Sequence, residues 1–196
     1  AIVGGLYACG YSPAEMLELI ESRSFSYWST GRIDESLVYY FSRPEPTPAL
    51  YSVNVPSKRD RRGGGSPVPT SLISPLPMNF AFMDLFAPYT AQCGGRFDRL
   101  FVPFRCVASD VVGKHKVVLG SGSVGDAIRA SMSFPIVFQP TEIDSTMLYD
   151  GGIYDNFPVD VMRDEFHPDI VIGIDVSTPD KHPSYDVVSQ LETMII

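Results

Sequence analysis

Cysteine is scarce: Cys9, Cys93 and Cys106 are the only three in 196 residues. An odd, widely spaced set excludes a disulfide framework and a zinc-site spacing. It fits three small buried hydrophobes instead. Charged residues make up 19%, below the usual quarter, with Lys and Arg outnumbered 15 to 23. The resulting net charge of −8 and pI of about 4.8 argue against a nucleic-acid face and against adhesion to anionic lipid by charge alone. No apolar run reaches the length of a membrane-spanning helix. His115, His167 and His182 show no metal-ligand spacing, so no metal and no cofactor are expected. Neither G-x-G-x-x-G nor a P-loop is present, which weakens a nucleotide-binding reading of any glycine turn.

What is present is a core. Hydrophobic residues make up 44%, with 12 Phe and 10 Tyr, enough for one domain of this length. The chain opens on Ala1-Ile2-Val3-Gly4-Gly5-Leu6-Tyr7-Ala8, which reads as the inside of a helix rather than as a leader. Both ends are therefore expected to lie within a longer polypeptide, and targeting cannot be read from them. Gly10 is placed to end that first helix. Ser12-Pro13-Ala14-Glu15 carries the signature of a second helix start, with a capping serine, a first-turn proline and a glutamate three residues on.

Further along, the sequence predicts a strand over 49–55, a flexible basic loop over 58–67, and a partly helical Met/Phe/Leu-rich stretch over 76–89. It then predicts strands over 100–109 and 116–119, a helix over 125–132, a strand over 147–149 and a helix over 158–166. Asp169 to Val176 is a nearly continuous apolar run, as in a covered parallel strand. Residues 187–196 read as the start of a helix. The alternation predicts an α/β class with a mostly parallel central sheet and helices on both faces.

The sharpest chemical feature is Leu148-Tyr149-Asp150-Gly151-Gly152-Ile153-Tyr154-Asp155-Asn156-Phe157-Pro158. An acidic residue leaves the end of a strand, where α/β proteins collect ligands and catalysis. Two glycines then let the backbone turn sharply and let a partner approach the carboxylate. By itself, a tight turn that happens to hold an aspartate accounts for this segment at least as well. Two further stretches of small residues, Ala1–Ala8 and Gly125-Asp126-Ala127-Ile128-Arg129-Ala130-Ser131, read first as close helix packing.

In this order, these segments resemble the patatin-like phospholipase family. Asp150-Gly151-Gly152 matches its D-G-[GA] aspartate, and Asn156-Phe157-Pro158-Val159 matches the tail that follows. Residues 1–9 match the helix after a G-x-S-x-G nucleophile elbow. Val107-Ala108-Ser109-Asp110 resembles the strand ending in Asp. Ala127–Ser131 with Phe134-Pro135 resembles the central helix and its turn. The resemblance is weakest over 22–95. It implies one partial acyl hydrolase domain over residues 1–196, with a three-layer α/β fold. It further implies hydrolysis of lipid esters, phospholipids above all, by a serine–aspartate dyad. Asp150 would be the base, Gly151 and Gly152 would shape its turn, and the serine is expected just ahead of Ala1. The chain alone, without serine or oxyanion loop, is expected to be inactive. Contact with a membrane surface and a bacterial-envelope location are further expectations from the resemblance.

Two look-alikes have simpler readings. Ser121-Gly122-Ser123-Val124-Gly125 nearly spells an elbow but lacks its first glycine, and it fits a helix cap better. Gly63-Gly64-Gly65-Ser66-Pro67 lacks the strand an oxyanion loop needs, and reads as a linker. Met78, Phe80, Phe82, Met83, Leu85 and Phe86 fit core packing first and an acyl-chain groove second. Lys58, Arg59, Arg61 and Arg62 fit a solvated loop before a head-group site. The rival function is a lipid-binding or scaffolding module on the same fold with no working nucleophile.

Overall fold

A computed structural model describes residues 1–34, 36, 38–39 and 73–175. The strand expected at 49–55, the basic and glycine-rich segment at 58–67 and the helix expected from 187 lie outside the described residues.

Helix α1 (Ile2–Ala8) leads through Gly10, at φ +97°, into α2 (Pro13–Glu21). The capping box read from the sequence is formed. The Ser12 hydroxyl accepts the Glu15 N–H, and the Glu15 carboxylate accepts the Ser12 N–H at 2.8 Å. Helix α3 (Arg23–Thr30) was not foreseen. Its signals are local: Ser22 caps it by accepting the Phe25 N–H, and Gly31 closes it in the left-handed region. Helix α4 (Leu76–Cys93) runs four residues past the expected 76–89 stretch and carries Pro88 inside it. Met78, Phe82 and Phe86, spaced four apart, form its buried stripe, while Phe80 and Met83 stay exposed. The Met/Phe cluster is therefore divided, half in the core and half on the surface.

The sheet has four strands: β1 (Cys106–Asp110), β2 (His115–Leu119), β3 (Thr141–Ile143) and β4 (Thr146–Asp150), in the order β2-β1-β4-β3. All three pairings are antiparallel, with Ala108 facing Val117 on one side and Asp150 on the other. The mostly parallel sheet expected from the sequence is thus corrected for the described residues. It rested on the alternation of helices and strands, with the apolar run at 169–176 read as a covered parallel strand. Through Asp175 that run joins no strand, and Ile170, Ile172 and Ile174 are 78–84% exposed. An apolar period-2 pattern becomes a strand only beside a neighbour that takes its N–H and C=O groups. The strand expected at 100–109 is likewise shorter, beginning at Cys106.

Helix α5 (Val124–Ala130) lies on the buried face of the sheet and is almost wholly enclosed. Two glycines let its neighbours come this near. A methyl group on Gly125 would lie 2.8 Å from the Phe82 carbonyl oxygen of α4, and one on Gly5 of α1 would collide with the Ile128 side chain. The close packing read from these two segments is therefore what they do. Helix α6 (Val159–Phe166) is tied to the other face, where Lys116 of β2 pairs with Asp155 and Asp160 and Arg105 pairs with Glu165. Helices therefore flank the sheet on both sides, an α/β arrangement in three layers. Cys9, Cys93 and Cys106 are free and buried, as small hydrophobes. Among the described residues no helix is long and apolar enough to cross a membrane.

Candidate active site

β4 delivers Asp150 to the end of the sheet, and the chain turns at once into a 3₁₀ turn over Gly151–Ile153. Three contacts hold the aspartate. Its N–H donates to the Ser133 carbonyl at 3.0 Å. Its Oδ1 accepts the Gly152 N–H at 2.8 Å. Its backbone stands in register with Ala108 of β1. The second glycine is thus a donor to the carboxylate.

The first glycine has a different reason. Gly151 is buried, and any β-carbon there would overlap the Val107 carbonyl oxygen and lie 2.7 Å from the Val107 carbonyl carbon. Its own carbonyl accepts the Tyr154 and Asp155 N–H groups at 3.1 and 2.9 Å and lies 3.4 Å from the Ser109 hydroxyl. Backbone packed on backbone at this point leaves the turn one path, and that path aims the carboxylate.

Asp150 is half-buried, and removal from water pushes its carboxyl above the ordinary aspartate range; the Gly152 N–H pulls the other way. Among the described residues Oδ2 accepts no hydrogen bond. The arrangement is a carboxylate with one oxygen fixed, one open to a proton, and a basicity raised by burial.

The other sequence candidates fall into place around it. Ser123 caps α5 by accepting the Asp126 N–H at 3.2 Å, so the near-elbow at Ser121–Gly125 is a helix cap. Asp110 ends β1, and its Oδ1 accepts the N–H groups of Val112 and Gly113, closing the β1–β2 hairpin. His115 is an exposed neighbour of Asp110 at 3.9 Å. His167 caps the end of α6 in the left-handed region. Among the described residues no group of three or more His, Cys, Asp or Glu converges on a metal position.

Sequence reasoning missed Arg129 and Ser133 as site neighbours. Arg129 is 3% exposed. Its Nη1 donates to the Ser133 hydroxyl at 2.9 Å, and the Ser133 carbonyl is the one that anchors Asp150. A lone cation in a helix of small residues was the available signal.

The profile of the patatin-like phospholipase family matches residues 1–163. The chain belongs to that family. It is 32% identical over 89 residues to an uncharacterised NTE family protein of Mycobacterium tuberculosis, a match covering 45% of this chain and 24% of that protein. A second uncharacterised NTE family protein of that organism is 34% identical over 82 residues, covering 35% of this chain and 14% of the relative. A patatin-like phospholipase domain-containing protein of Caenorhabditis elegans is 28% identical over 127 residues, covering 64% of this chain and 9% of the relative. The matches span about a quarter or less of these relatives' lengths.

Proposed function

We propose that this chain supplies the general base of a lipid acyl hydrolase, with Asp150 as that base. Its partner is a serine in a G-x-S-x-G elbow ahead of Ala1, so that residues 1–196 form one part of the acyl hydrolase domain. The serine hydroxyl attacks the ester carbonyl of a phospholipid and its proton passes to Asp150. The alcohol leaves with a proton, and water, deprotonated in its turn, releases the fatty acid and restores the serine.

The observation that carries this reading is the state of Asp150: half-buried, held at Oδ1 by Gly152, and open at Oδ2. An aspartate of ordinary pKa, about 3.9, is a poor base at neutral pH, and burial moves it the useful way. Family membership supports the substrate class. Gly5 of α1, close against Ile128, supports α1 as the helix that follows the elbow. Exposed Leu76, Phe80 and Met83 on α4 support contact with a lipid surface through apolar side chains, the kind an acidic protein needs.

The test is Asp150→Asn in the complete protein, assayed on phosphatidylcholine vesicles. A fall of at least about 100-fold in turnover with unchanged circular dichroism is expected, the usual worth of a positioned base. A variant keeping a tenth of the wild-type rate overturns the assignment. A wild-type protein that binds vesicles without turnover turns the chain into a lipid-binding module.

A further inference from the structure

The cleft between α4 and α5 has a chemistry that the Asp150 reading does not use. It is an open cleft of about 570 Å³, within the range of small-molecule sites of about 300–1,000 Å³. Phe80, Phe82, Met83 and Ala87 give it an apolar wall, and Arg129 lies along it. Arg129 is 3% exposed. Its Nε donates to the Asn79 side-chain oxygen at 3.1 Å and its Nη1 to Ser133, and its guanidinium lies 4.9 Å from the Phe138 ring centre. Asn79, Ser133 and Phe138 carry no charge. Among the described residues no carboxylate pairs with Arg129 and Nη2 makes no further hydrogen bond. Asp126 also borders the cleft, but it is solvent-exposed and forms no ion pair with Arg129.

A buried cation without a counter-charge is expensive, and burial alone pulls this guanidinium below its ordinary pKa. A carboxylate can accept a charge-assisted hydrogen bond from Nη2, and an alkyl chain fits the Phe and Met wall. We propose that the α4–α5 cleft binds a non-esterified fatty acid, its carboxylate on Arg129 and its chain along Phe80, Phe82 and Met83. Arg129 reaches Asp150 only through Ser133, and the proposed ligand has no ester bond, so binding is read separately from hydrolysis.

The experiment is calorimetric titration of the full chain with dodecanoate and, separately, with dodecanol, both below their micelle concentrations. Dodecanoate is expected to bind at one site at least tenfold tighter than dodecanol. Arg129→Gln is expected to remove that preference. Should Arg129→Gln fail to fold, Ala87→Trp tests the same site from an exposed position by filling the cleft, and is expected to cost at least tenfold in dodecanoate affinity. Equal affinity for the two ligands, unchanged binding in a folded Ala87→Trp, or no binding of dodecanoate overturns the proposal.

Discussion

The turn at Asp150–Ile153 and the segment at Asp169–Asp175 make an instructive pair. Both read clearly in the sequence, one as a glycine turn carrying an acid and the other as an apolar strand. The turn is fixed from every side: Ser133 holds Asp150, Val107 excludes any side chain at 151, and Gly152 holds the carboxylate. The other segment carries a strand pattern yet forms no strand through Asp175, and its isoleucines face solvent. Packing of backbone on backbone can be specified by one residue's lack of a side chain. Strand pairing needs a second segment, and no pattern in the first can supply it.

The strongest way to break that comparison is Gly151→Ala. The new methyl meets the Val107 carbonyl, which is sheet backbone and cannot step aside. A loss of about 3 kcal/mol in urea unfolding is expected. A near-neutral result would mean that the turn is not locked. Gly125→Ala comes next. Its methyl would face the Phe82 carbonyl at 2.8 Å, but the gain in helix propensity offsets part of the strain. About 2 kcal/mol of destabilisation is expected, read the same way.

A smaller effect sharpens the role of Asp150 itself. Burial raises its folded-state carboxyl pKa above the unfolded value, so the folded state holds that proton more tightly. Its contribution to stability is full below the unfolded pKa and is lost as pH rises through the folded one. Asp150→Asn keeps an acceptor for the Gly152 N–H and removes that loss. The Tm of Asp150→Asn should therefore gain on wild type between pH 3 and pH 7. A gap that closes or reverses as pH rises would place a stabilising partner on the carboxylate.

The smallest effect belongs to the other half of the pair. Ile172 is 84% exposed, so Ile172→Ser should change stability by no more than about 0.5 kcal/mol in this chain. A loss several times larger would show that the segment packs in solution after all.

Legibility follows the same division. Ser12 with Glu15, Ser123 before α5, and Asp150 with its two glycines were readable, because donor, acceptor and turn residue sit within a few positions of each other. Strand β3 was not. It is three residues long, and its hairpin turns on Asp144 and Ser145, both at positive φ without a glycine to announce it. The end of α4 was misplaced, because the helix continues past Pro88 to Cys93. Arg129 reads as one polar position in a packed helix. Its surroundings come from Asn79, fifty residues away, and from Phe138 beyond the next turn. The sheet's antiparallel pairings depend on which strands meet, which local pattern does not state.

The central claim is that Asp150 serves a serine lying outside these residues. The most direct test treats the complete protein with a fluorophosphonate, which bonds covalently to activated serines, and locates the adduct by peptide mass spectrometry. The account predicts one adduct, on the serine of a G-x-S-x-G sequence ahead of Ala1, formed much more slowly in Asp150→Asn. An adduct on Ser121 or Ser123, or labelling of the upstream serine at the same rate in both proteins, would contradict it.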